Sequence, residues 1–419
     1  MDPHFEEPTE SHPSPISIED ILRVLELLKD PNLLGDRSDP TQYEKIRDLG
    51  EGISRVTEVM FKPMGKSFAR KCYDLPDHKE SCQKVKESLA HEVKLLKLFS
   101  GLALFPEFRG SYEEWDDAHD KYTFNIVIDP VADRDLGREL RSAKVQFDPE
   151  MPPPQPDVPK QRQFRYLSRH WLAELSEVFF FLHGIGPDAD RFVRHRDIKL
   201  ANFLIVTRRP QPNYNHAGIP EPEEPPIKQI ILSDFGISRV FPSITQAITN
   251  STQSEKNFFS APEVLSDGNP HGIWCDVFSL GAVMLEILAV MWNVPFLVEH
   301  TETWGCKTAY GKKLSELRFD IPSSSADLTW FQDLHEQEQK YFREVLAIIE
   351  KLMGRAPDER PTATGIHHYF ETLEMGMENW VGGRSKRNLE LAEQRRWWID
   401  RIGVLGLLEE EGTGGEEQC

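Results

Sequence analysis

The sequence predicts an α+β chain arranged in two lobes, β-rich in its first part and mainly α-helical in its second. Three observations carry that expectation. Residues 43 to 75 alternate apolar and polar positions between Gly turns, as half-buried strands do, and Tyr122 to Ile128 repeats the signature. From Leu265 onward the apolar positions recur every three or four residues, the spacing of one helix face. With 419 residues, 39% of them hydrophobic, the chain is long enough to bury a sizeable core. Strands gathered early and helices gathered late is the order of an α+β fold rather than of alternating βαβ units.

At the start of the chain, residues 1 to 40 hold ten acids, three bases and six prolines, and are expected to form an acidic N-terminal arm. Within it, Ser17-Ile18-Glu19-Asp20 fits a capping box with Ile16 and Ile21 placed as a staple, and Ile21, Leu22, Leu25 and Leu28 have helical spacing. After the first strands, Val85, Leu89, Val93 and Leu96 mark an amphipathic helix, and Glu92 falls on its apolar face. A carboxylate facing inward is costly unless a cation meets it. Leu167, Trp171, Leu175, Val178 and Leu182 predict a long helix ending at Gly184. Residues 147–160 and 207–228 carry six prolines each and are expected to be loops, neither helix nor central strand. Leu280 to Trp292 is apolar but short of the roughly 20 residues a bilayer requires, and it contains Glu286, so it reads as a buried core helix. Beyond Arg384-Ser385-Lys386-Arg387, a helix with Trp398, Ile402 and Leu405 on one side precedes an acidic tail over 408–419.

The net charge of −20 disfavours phosphate polymers or anionic membranes as bulk partners, since these require a basic footprint, so no direct nucleic-acid or membrane partner is expected. Much of that charge sits in the two ends; residues 41–407 carry −8. The Glu-rich start lacks the basic and apolar regions of a secretory signal, and the five cysteines form no C-x-x-C pair. A reduced intracellular protein, cytoplasmic and/or nuclear, is the expectation.

The chemistry-bearing signal is His195-Arg196-Asp197-Ile198-Lys199-Leu200-Ala201-Asn202, followed by the apolar Phe203 to Val206. Thirty-two residues beyond Asn202, after Ile230-Ile231-Leu232, comes Asp234-Phe235-Gly236. This pattern resembles the eukaryotic protein kinases, of the serine/threonine type because Lys199 follows Asp197 by two. The resemblance runs from about residue 43 to 375. It implies a protein-kinase-like bilobal fold over 41–375, with an N-lobe 41–128, a hinge 129–135 and a C-lobe 136–375, and leaves 376–419 as a C-terminal helix and tail.

By that resemblance, Asp197 aligns the substrate hydroxyl and accepts its proton, Lys199 steadies charge on the transferring group, and Asn202 and Asp234 hold Mg2+ against the phosphates of ATP. Lys71, fifteen residues after Val56, resembles the phosphate-binding strand lysine, with Glu92 as its ion-pair partner. Gly50 and Gly52 stand where the family has a glycine-rich loop, one residue shorter here and without its third glycine. Val56, Ala69 and Leu204 are implied to sandwich the adenine, Ile128 to be the gatekeeper, Asp129-Pro130-Val131 the hinge and Asp135 the ribose contact.

Ser260-Ala261-Pro262-Glu263 resembles the close of an activation segment, with Glu263 implied to pair with Arg360, and Asp276 resembles the acid that anchors the catalytic loop. Five residues before Ala261, where the family usually carries a threonine, this chain has Lys256. Ala201 supplies no acid for basic substrates, and Ser260 stands where proline-directed kinases carry Arg. Arg196 beside Asp197 implies control by phosphate on the activation segment, with Thr249, Ser251, Thr252 and Ser254 as acceptors, Thr252 favoured, and an upstream kinase as the partner. Protein substrates and ATP are thus the expected partners. The alternative is a pseudokinase scaffold, suggested by the short glycine loop, Lys256 and the Pro-rich inserts.

Overall fold

The computed structural model describes residues 40–51, 54–144, 159–183, 192–208, 226–241, 256–266, 272–292, 294, 297, 300–304, 306–317, 319, 331 and 334–375. Residues 1–39 of the N-terminal arm, with the short helix expected there, the C-terminal helix and tail, Gly52 and the four candidate phosphoacceptors lie outside them.

Alternation builds the first lobe. Strands β1 (Tyr43–Glu51), β2 (Arg55–Phe61), β3 (Lys66–Asp74), β4 (Glu107–Asp116) and β5 (Lys121–Asp129) form one antiparallel sheet in the order β1-β2-β3-β5-β4. Its register brings the candidate nucleotide contacts together: Val56 lies opposite both Gly50 and Lys71, and Ala69 lies opposite Ile128. Helix α1 (Lys79–Phe99) buries Leu89, Val93, Leu96 and Phe99 on the face its spacing predicts, and Glu92 is buried with them.

The second lobe is helical. After β6 (Arg134–Asp135), α2 (Leu136–Lys144) and α3 (Pro159–His183) lead to β7 (Phe192–Arg194), a hairpin β8 (Phe203–Arg208) and β9 (Ile227–Leu232), and β10 (Arg239–Phe241), which pairs with β7. Among the described residues the remaining α-helices are α4 (Pro262–Leu265), α5 (Trp274–Met291), α6 (Tyr310–Lys313), α7 (Glu336–Leu352) and α8 (Ala363–Met375). Helix α5 is long and apolar enough to span a bilayer, but 89% of it is buried, packed against α2, α3 and α7 as the core of the lobe. The two-lobed α+β expectation holds.

Two sequence expectations need correction. Pro159 and Lys160 belong to α3 rather than to the preceding loop, because proline at a first helical position lacks only an N–H that would go unpaired anyway. The second Pro-rich stretch is also shorter than its composition indicates: Thr207 pairs with Lys228 and Arg208 with Ile227, so both ends continue the β8–β9 ladder.

Candidate active site

The site grows from the turn between β7 and β8. Asp276, at the start of α5 and buried, accepts from the backbone N–H of His195 (2.7 Å) and of Arg196 (2.9 Å), while Arg196 takes a left-handed φ of 72°. Burial alone would raise the Asp276 carboxyl, but the bond from His183 and the nearby Arg194 and His195 hold it below its ordinary value, so it stays ionised. One carboxylate thereby fixes the turn that presents Asp197, as the sequence implies. His195 is kept neutral chiefly by burial, and its Nε2 faces the Ser233 carbonyl at 3.1 Å. Its ring meets Phe235 edge-on, and Phe235 stacks in turn on Phe99 of α1.

Around Asp197 the donors converge. Lys199 Nζ lies 2.6 Å from Oδ2, the Asn202 amide donates to Oδ2 at 2.9 Å and to the Asp197 carbonyl at 2.7 Å, and Asn257 Nδ2 donates to Oδ1 at 3.0 Å. Asn257 escaped the sequence reading. Lys256 occupies the expected position, and the residue that reaches the carboxylate is its neighbour, a one-residue offset that only a folded loop reveals.

On the opposite side, Lys71 Nζ is 2.6 Å from Glu92 Oε1 and 3.0 Å from Asp234 Oδ1, and Tyr73 donates its hydroxyl to Glu92 Oε2 at 2.9 Å. Burial would strip the proton from Lys71, but Glu92 and Asp234 outweigh it and hold the ammonium well above its usual range. The same ammonium keeps the Asp234 carboxyl low against the opposing effect of burial. The cost of an inward-facing Glu92 is therefore met as its helical position demands. Asp234, at φ 69°, is the second left-handed non-glycine residue here, after Arg196.

The nucleotide-contact candidates separate into two groups. Val56, Ala69, Ile128 and Leu204 sit in paired strands, Ala69 opposite Ile128 and Leu204 opposite Asp135. Val131 is half-buried just after the sheet. Asp129, by contrast, sends its carboxylate to Lys66 (2.5 Å) and Arg109 (2.8 Å), which leaves backbone as its contribution to a hinge. Asp135 accepts from the N–H of Arg138 at 2.8 Å and so caps α2, a structural task beside the one implied by resemblance. Gly50 pairs with Val56 and Glu51 with Arg55, so three residues separate the last paired positions of β1 and β2.

Farther out, Arg360 is fully buried and grips Glu263 through both terminal nitrogens (2.6 and 3.0 Å), and it also donates to the carbonyls of Trp274 and Gly354. This is the predicted pair across 97 residues. Arg196 is pushed down to about 10, first by burial and then by Arg194 and Arg239, so three guanidiniums gather beside the catalytic turn.

Asn202 turns its NH2 toward Asp197, which leaves its amide oxygen as a hard donor, and Asp234 offers a second oxygen. Among the described residues no three His, Cys, Asp or Glu form a metal cage. Two oxygen ligands without a cage suit Mg2+ that completes its shell on water and substrate phosphates.

The sequence profile of the family described as "Protein kinase domain" matches residues 43–370. Mitogen-activated protein kinase kinase 2 of Arabidopsis thaliana is 24% identical over 252 residues, 60% of this chain and 54% of that protein. Calcium-dependent protein kinase 29 of the same plant is 27% identical over 322 residues, 77% of this chain and 47% of that protein. Dual specificity testis-specific protein kinase 2 of Mus musculus is 26% identical over 204 residues, 46% of this chain and 32% of that protein. The chain spans between about a third and just over half the length of these relatives.

Proposed function

The chain belongs to the protein kinase family, and from that premise we propose that it transfers the γ-phosphate of ATP to serine or threonine hydroxyls of protein substrates. The observation that carries this reading is Lys71, whose ammonium meets Glu92 and Asp234 at once. Phosphoryl transfer requires the lysine–glutamate pair and the metal-binding aspartate in place together, and here they touch.

Each side chain then has a task. Lys71 holds ATP phosphates, with its ammonium oriented by Glu92. Asp234 and the Asn202 oxygen would hold Mg2+, which when bound offsets phosphate charge. Asp197, with its carboxylate oriented by Lys199, Asn202 and Asn257, aligns the substrate hydroxyl and takes its proton. Positioning and charge neutralisation are most of what this reaction asks of a protein.

The pseudokinase reading keeps one observation in its favour, the three residues between Glu51 and Arg55, which offer ATP less cover than a full glycine loop. The two readings part on one assay: Mg2+-dependent phosphate incorporation into the protein itself and into generic protein substrates, with Asp234→Asn and Lys71→Met as controls. Transfer above both controls supports the enzyme; ATP binding without such transfer supports the scaffold.

We also propose control by an upstream kinase. The gathering of Arg194, Arg196 and Arg239 supports a phosphate on the activation segment, Thr252 being favoured among Thr249, Ser251, Thr252 and Ser254. Phosphatase treatment is expected to lower activity, and unchanged activity would count against it.

A further inference from the structure

The Asp197 carboxylate has about four lone-pair positions, and their occupancy is uneven. Oδ2 is taken by Lys199 and Asn202, whereas Oδ1 receives Asn257 Nδ2 at 3.0 Å. Asn257 comes from a different part of the chain, the segment that leads into α4, and its amide is fixed at both ends. Its Oδ1 accepts the N–H of Phe259 at 2.8 Å, and its own N–H donates to Ser260 Oγ at 2.8 Å. A backbone N–H can only donate, so the atom facing it must be oxygen, and the NH2 must then face Asp197.

The turn itself is clamped to the core. Ser279 of α5 donates to the Phe259 carbonyl at 2.9 Å, and the N–H of Tyr310 donates to the Phe258 carbonyl at 2.9 Å. Phe259 is buried, and Phe258 lies edge-on to the Tyr310 ring. The direction of the Asn257 amide is therefore set by α5 and α6, and α5 also carries the Asp276 that holds the catalytic turn.

We propose that Asn257 is a positioning residue for Asp197: it reserves one lone pair of Oδ1 for the substrate hydroxyl and ties the orientation of the base to the folding of the segment before α4. This inference rests on the reading of the chain as an active kinase. In the step it serves, the hydroxyl proton passes to Asp197 Oδ1 as the new oxygen–phosphorus bond forms. The bond from the γ-phosphorus to its bridging oxygen breaks, and that oxygen leaves with the electron pair on ADP.

Asn257→Asp isolates the claim, because a carboxylate still accepts from Phe259 N–H but cannot donate to Asp197. The expected result at pH 8 is a loss of roughly tenfold in kcat, the worth of a hydrogen bond to a charged group, with KM for ATP unchanged and a melting temperature near wild type. Asn257→Gln, which keeps an amide that can both accept and donate, is expected to retain more kcat than Asn257→Asp. Asn257→Ala, which loses donor and turn together, is expected to lose both kcat and melting temperature. Wild-type kcat in Asn257→Asp and Asn257→Ala, or a kcat deficit in Asn257→Asp that comes with a lowered melting temperature or that Asn257→Gln shares in full, would overturn the positioning role and leave the kinase reading standing. A wild-type protein with no phosphate transfer would overturn both.

Discussion

Glu286 gives the sharpest test of how the second lobe is packed, because a carboxylate in the middle of the core helix has a calculable pH signature. It is fully buried in α5 and accepts four hydrogen bonds. Oε1 receives the Glu302 N–H (2.5 Å) and the Tyr310 hydroxyl (2.9 Å), and Oε2 receives the Thr303 hydroxyl (2.7 Å) and N–H (3.3 Å). Burial pushes its carboxyl up to about 7, and these four donors only partly oppose it. From the ordinary 4.5 to about 7 is ~3 kcal/mol at about 1.4 kcal/mol per pH unit. The folded state holds this proton more tightly than the unfolded chain, so the penalty is absent below pH 4.5, grows between 4.5 and 7, and is complete above 7. Stability from this site therefore falls as pH rises through that window.

Glu286→Gln removes the titration. Its NH2 fits best at the Oε2 position, where the Thr303 hydroxyl can rotate to accept and only the long 3.3 Å contact from Thr303 N–H is lost, at about 1–3 kcal/mol. The variant is expected to be less stable than wild type at pH 5 and about equal to it at pH 8. The difference between the two proteins should move by ~3 kcal/mol, or about 6 °C in melting temperature at ~2 °C per kcal/mol. Scanning calorimetry of both proteins at pH 5, 6, 7 and 8 measures it. A difference that does not change with pH would refute the assignment of a neutral, buried Glu286 below pH 7.

Two further outcomes are expected from the same packing. Arg360→Ala leaves Glu263 buried without its two-pronged partner and should cost about 3–5 kcal/mol, read by thermal melting; a loss below about 1 kcal/mol would mean the pair is solvated. Gly281→Ala places a Cβ 2.8 Å from Leu352 Cβ and Met353 Cγ, so α5 and α7 must separate, and about 1–3 kcal/mol should be lost in the same assay.

Much of the site was legible because its residues carry their reason in the pattern. Glu92 stands on the apolar face of an amphipathic helix, which demands a cation, and Lys71 supplies it. Glu263 and Arg360 were readable as a pair across 97 residues through the family pattern. The hidden residues depend on geometry that spacing does not encode. Asn257 lies in a turn where one residue of offset decides which side chain reaches Asp197. Tyr73 reads as an ordinary strand residue until its hydroxyl is seen on Glu92. Strand β4 escapes because Gly110 and the register shift beside it interrupt the alternation that marks its neighbours. Glu286 read only as a polar break in an apolar run, since its four donors come from a turn and a short helix farther along the chain.

The most direct measurement of the central claim is a single-turnover reaction with γ-labelled ATP and Mg2+, with the product's phosphoamino acid identified by mass spectrometry, for wild type and Asp197→Asn. Wild type is expected to yield phosphoserine or phosphothreonine, and the variant to lose at least ~100-fold in rate, the scale of a positioned general base. Equal rates in the two proteins, or phosphate released only to water, would contradict a protein kinase that works through Asp197.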